Sequence, residues 1–128
     1  NGFVPGEVPK VDATSGASPY HLHDKVPVIV GMTALESRGQ TLFQDNCSFC
    51  HAADGTGRNW IGSFLQPHPR DLTSPAFMST MTRKRLTNVI RDGLPDTSMP
   101  AWKSVLTDQE IQALVAYISK AFHPVAAD

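Results

Sequence analysis

Two cysteines stand three positions apart, and a histidine follows the second: Cys47-Ser48-Phe49-Cys50-His51. These are the only cysteines in the 128-residue chain, so the pentapeptide bounds its chemistry. Four readings compete. A disulfide between Cys47 and Cys50 closes a very short loop and restricts the unfolded chain little. A thioredoxin-like dithiol belongs in a βαβ setting, and no β-branched strands flank this segment. A structural zinc site needs a full set of ligands, and His21, His23, His68 and His123 form no second half-site. The fourth reading is covalent attachment of haem c. Thiols at this spacing on a helical turn share a face, so both can add to the vinyl groups of one porphyrin. His51 is then carried beneath the ring as fifth iron ligand.

A sixth ligand is sought downstream. Gly93-Leu94-Pro95-Asp96-Thr97-Ser98-Met99-Pro100-Ala101-Trp102 is rich in turn residues and lacks regular periodicity. Pro100 biases Met99 away from helical dihedrals, which suits a loop presenting a thioether, and His/Met ligation raises a haem's reduction potential. Met32, Met78 and Met81 read first as core filler. Met81 precedes a candidate N-cap, Thr82, and is placed to staple against Leu86. Met78 and Met81 remain the alternatives to Met99 as ligand.

A helix running into C-x-x-C-H, a T-x-M-P-A-W-like loop and a final helix with L-V-A-Y-I resemble the bacterial class I c-type cytochromes. The resemblance covers roughly residues 33–122. It implies an all-α fold, a small cytochrome c shell of helices enclosing one covalently bound haem, and single-electron transfer as the activity. It also implies one haem c attached through Cys47 and Cys50, with iron ligands His51 and Met99. In that family a glycine of the first helix lets it cross closely against an aromatic of the last; Gly39 and Tyr117 are the matching positions. A long segment before Thr33 departs from the compact family core.

Periodicity agrees with a helical shell. Thr33-Ala34-Leu35-Glu36 reads as a capping box opening a helix that runs to about Asn46. Thr107-Asp108-Gln109-Glu110 reads as a second box, preceding the stripe Ile111, Leu114, Val115, Ile118 and Phe122. A helix is expected over 83–92, with Leu86, Val89 and Ile90 inward and Gly93 ending it. Ser74-Pro75 opens a short extra turn. No alternating strand pattern of useful length and no internal repeat appears. Because the core is small, the chain without haem is expected to be poorly ordered.

Residues 52–72 read as a glycine-containing loop. A ligating histidine needs its second ring nitrogen held by an oxygen, and by resemblance a proline-containing stretch supplies that carbonyl, with Pro67 or Pro69 as the candidate. His68, between those prolines, reads as a surface residue rather than a ligand. Trp60, Arg70 and Trp102 are candidates for binding the haem propionates, against packing for the tryptophans and solvation for Arg70.

The chain divides into a Pro/Gly-rich extension (1–32), a haem domain (33–123) and a short tail (124–128). The extension is expected to be either a linker or an ordered arm using Phe3, Tyr20 and the stretch Val28 to Val30. An H-x-H pair, His21 and His23, could hold a metal but is usually incidental in such an arm. Asn1 is not a methionine, as expected of a mature form whose signal peptide has been removed or of a trimmed chain.

Net charge is −1 with a pI near 6.6, which argues against a nucleic-acid binder. No apolar run approaches the roughly 20 residues of a membrane helix. Between His51 and Val105 seven basic residues face four acidic ones, a bias able to steer an acidic partner, although Arg83-Lys84-Arg85 also reads as a solvated helix start. The expected function is a periplasmic, monomeric electron carrier, not an enzyme. By resemblance its redox partners are a respiratory reductase or oxidase, a quinol-oxidising complex or another cytochrome. The alternatives are a haem enzyme or gas-binding sensor with a labile sixth ligand, and a cytochrome subunit of a larger oxidoreductase.

Overall fold

The computed structural model describes residues 20–128. Their regular structure is helical: α1 (Ala34–Leu42), α2 (Ser48–His51), α3 (Trp60–Phe64), α4 (Pro75–Met78), α5 (Arg83–Asp92) and α6 (Asp108–Ala121). A 3-10 turn, His21–Asp24, precedes them, and the π-helical segment Phe43–Cys47 joins α1 to α2. The first helix therefore does not stop near Asn46. It widens and continues through the cysteine motif to His51.

Both capping boxes form. Thr33 accepts from the Glu36 N–H while Glu36 reaches back to Thr33 N–H, and Thr107 and Glu110 do the same for α6. Each box satisfies donors that a helix start otherwise leaves unpaired. Thr82 caps α5 by accepting from Arg85 N–H, and the helix ends at Gly93, whose φ of 73° favours glycine.

The core is built where α1 crosses α6. Gly39 is buried, and a Cβ placed there would lie 2.7 Å from Tyr117 Cβ and inside the Ala113 carbonyl. Hence α1 needs a glycine at this point. Tyr117 is fully buried beside Phe43, ring centroids 5.7 Å apart, and Phe122 closes the trio at 5.1 Å from Phe43 and 5.5 Å from Tyr117. Ile111, Leu114, Val115 and Ile118 line the inner face of α6 as their spacing predicts. Leu86 and Ile90 face this core from α5, while Val89 is only half-buried. Met78 and Met81 are buried core residues, with Met81 and Leu86 in the same cluster.

Two segments behave differently from expectation. Residues 52–72 are not loop throughout, because Asn59 caps α3 through its side-chain oxygen. The tail 124–128 packs back: Ala126 pairs with Met81 and Arg83 beside α5, and Val125 is buried in the core. In the extension, Phe3 lies outside the described residues. Val28 and Val30 do not pack on the domain; they are 91% and 86% exposed. His23 and Met32 make contact instead: His23 Nδ1 lies 2.6 Å from Asp54 Oδ2 and its carbonyl accepts from Asp54 N–H at 3.3 Å, while Met32 packs partly buried against the core cluster.

Candidate haem-attachment site

Cys47 closes the π-helical segment, and Cys50 and His51 complete the single turn of α2. Both cysteines are half-buried free thiols. Burial, reinforced by the neighbouring Cys50, pushes the Cys47 thiol up to about 12, and burial raises Cys50 as well. Two thiols three positions apart, where the π-helical segment meets α2, meet the covalent requirement of the porphyrin vinyl groups. Among the described residues no three His, Cys, Asp or Glu side chains converge.

His51 leaves α2 with its ring Nδ1 3.2 Å from the Arg70 carbonyl oxygen. The carbonyl thus comes from the residue after Pro69 rather than from Pro67 or Pro69. Nδ1–H donation fixes the tautomer that leaves Nε2 as the free lone pair. Burial lowers the His51 pKa, the Arg70 hydrogen bond opposes this, and nearby His68 adds to the lowering. A neutral imidazole is the form that ligates a metal. The chain then turns sharply: Ala52 sits at φ 66° and Gly57 N–H reaches back to the His51 carbonyl at 2.6 Å. Gly55 lies on Phe122, where a Cβ would meet the ring at 2.9 Å, so the turn after His51 rests on the α1–α6 aromatic core.

Met99 is half-buried against the core cluster, in a loop held from both sides. Leu94 N–H donates to the Met99 carbonyl, and Met99 N–H donates to Thr97 Oγ1. Trp102 and Lys103 N–H groups donate to the Ile90 and Arg91 carbonyls, which the end of α5 leaves without helical partners. Asp96 at φ 61° and Gly93 complete the turn.

The three propionate candidates make different contacts. Trp60 opens α3, its ring 6.0 Å from that of Phe64. The Arg70 guanidinium lies 4.9 Å from the centre of the Phe77 ring, while its carbonyl serves His51. Trp102 is partly buried and packs against the core cluster. His68 is exposed with Nδ1 on the Pro69 carbonyl, as a surface residue. His21 is exposed and His23 is engaged by Asp54. Sequence reasoning passed over Asn59, which binds the motif directly; its signal was an asparagine immediately before Trp60 in N-cap position.

A family model described as cytochrome c oxidase, cbb3-type, subunit III matches residues 34–118, from the first residue of α1 into the last turn of α6. The chain belongs to this family of c-type cytochromes. It is a small all-α cytochrome c domain whose cofactor is haem c, covalently attached through Cys47 and Cys50. This cytochrome is 32% identical over 88 residues to the CcoP subunit of the cbb3-type cytochrome c oxidase of Cereibacter sphaeroides, covering 66% of this chain and 27% of that protein. The chain therefore spans about a quarter of that relative's length. It is also 32% identical over 82 residues to cytochrome c6 of Bryopsis maxima, 64% of this chain and 86% of that one. Among solved structures, the KustC0563 c-type cytochrome superposes with a TM-score of 0.55 at 25% identity, over 62% of this chain and 92% of its own. Among the described residues, no helix is long and apolar enough to cross a membrane.

Proposed function

We propose that this cytochrome is a one-electron carrier whose iron is held by His51 and Met99, working outside the cytoplasm between respiratory redox proteins. The observation that carries the reading is the pair of constraints on those two side chains. His51 has its Nδ1 committed to the Arg70 carbonyl, and Met99 sits half-buried in a loop tied to the end of α5. The haem supplies the Fe(III)/Fe(II) couple. The chain's own part is to orient one imidazole, present one soft thioether and shield both from water. Trp60, Arg70 and Trp102 are proposed to bind the propionates. The haem domain is taken as 33–123, with 1–32 as an extension fastened to it by His23 and Asp54.

The optical spectrum of the ferric protein tests the ligand set. The weak red band of methionine sulfur on iron is expected in the wild type and lost in Met99→Ala. Ready carbon monoxide binding by the reduced wild type would overturn it in favour of an open-site enzyme or sensor. Steering by the basic half predicts electron-transfer rates that fall as ionic strength rises.

A second reading is favoured by the comparison with CcoP, an oxidase subunit of which this chain matches a part. In it the cytochrome is bound permanently in a larger oxidoreductase. Cross-linking and size-exclusion of native extract separate a free carrier from a subunit.

A further inference from the structure

Apart from the Tyr117 phenol, Asn59 is the single buried polar side chain among the described residues. Its amide donates to the carbonyls of Ser48, at 3.1 Å, and Phe49, at 2.9 Å, the two residues between the cysteines. Its side-chain oxygen accepts from Gly62 N–H at 2.7 Å, capping α3. We propose that Asn59 is the positioning residue of the haem-attachment turn, clamping α2 against α3 so that the His51 ring keeps its register with the Arg70 carbonyl. The inference rests on the reading of His51 as iron ligand, and it does not depend on Met99.

The physical need arises where the helix ends. The motif turn is the last turn of the continuous stretch that begins at α1, and past His51 the Ala52 N–H on the Ser48 carbonyl carries its helical bonding on. Asn59 provides two donors at that point. Packing acts in the same place: a Cβ on Gly62 would lie 2.8 Å from the Cys50 carbonyl oxygen, so α3 rests directly on the motif. Downstream, the His51–Arg70 contact at 3.2 Å lies at the long end of the hydrogen-bond range. A small rotation of α2 is enough to break it. Breaking it removes the donation that makes the imidazole a more basic ligand, which disfavours the ferric state.

The test separates capping from clamping. Aspartate caps helices as well as asparagine does, and Asn59→Asp keeps the shape and the acceptor for Gly62. It removes both donors and sets a carboxylate against two carbonyl oxygens. In the holoprotein, Asn59→Asp and Asn59→Ala are both expected to raise the Fe(II)/Fe(III) ratio at the wild-type midpoint at least threefold, about 28 mV at 59 mV per decade. Both are also expected to speed exchange of the His51 Nδ1–H proton in the NMR spectrum about tenfold. An aspartate variant equal to wild type in both readouts would sink the proposal. So would an alanine variant that loses only resistance to denaturant. If neither variant accumulates with haem attached, Asn59→Ser is read by the same measurements, and wild-type values for it overturn the proposal. A wild type without the methionine band defeats the His/Met reading alone, because the Nδ1–H measurement still reports on Asn59.

Discussion

Gly39 of α1 lies so close to Tyr117 of α6 that a Cβ on the glycine would stand 2.7 Å from the tyrosine's own Cβ. The approach brings Phe43 and Phe122 onto the same ring and seats Gly55, and with it the turn after His51, on that cluster. Gly39→Ala forces the helices apart at backbone, which cannot yield as a flexible side chain can. Overpacking of this kind costs about 1–3 kcal/mol and sometimes more. A denaturant titration of the holoprotein is expected to show a loss at or above the top of that range; a value near zero would contradict the crossing.

Glu110 closes the capping box of α6, and its carboxyl is held below its ordinary 4.5 first by the Thr107 backbone N–H, with Arg38 adding to the effect. A lowered folded-state value means the folded state binds its proton less readily than the unfolded one. The stabilisation is present above about pH 4.5 and is lost as pH falls through the folded value. Glu110→Gln removes that titration. The expected outcome is a shallower fall of thermal midpoint between about pH 5 and pH 3 in the glutamine variant.

Asp128 Oδ1 accepts from Lys84 N–H at 2.6 Å, at the start of α5. The first turn of that helix is Arg83-Lys84-Arg85, three cations at the end where the macrodipole favours anions. Asp128 is the compensating negative charge. Asp128→Ala is expected to cost about 0.5–1 kcal/mol at low salt and less at high salt. Equal values at both salt concentrations would show that the carboxylate acts only through packing.

The described core is small and centres on α1, α5 and α6, while the motif turn and α3 are short elements beside it. Without the porphyrin those short elements lose their shared apolar surface. A Cys47→Ala/Cys50→Ala double variant is expected to show well under the far-UV helical signal of the holoprotein. Full native helicity in that variant would show that the polypeptide folds by itself.

Sequence alone determined the features that local chemistry controls. The thiol spacing with His51, taken with the Met99 loop and the final helix, pointed to haem c, and the two capping boxes and the α6 stripe specified helices whose starts are as expected. These signals are local: a cap or a stripe is complete within a few residues. Tertiary structure decided what depends on distant partners. Arg70, not a proline, meets His51 across 19 positions of chain, and Asn59 reaches back to Ser48 and Phe49 across 11 and 10. Asp128 meets Lys84 across 44, and His23 and Met32 rather than the valines anchor the extension. Side-chain type and periodicity report which groups want a partner. Which partner each one finds is set by how the helices cross, and here that crossing is governed by the missing side chain of Gly39.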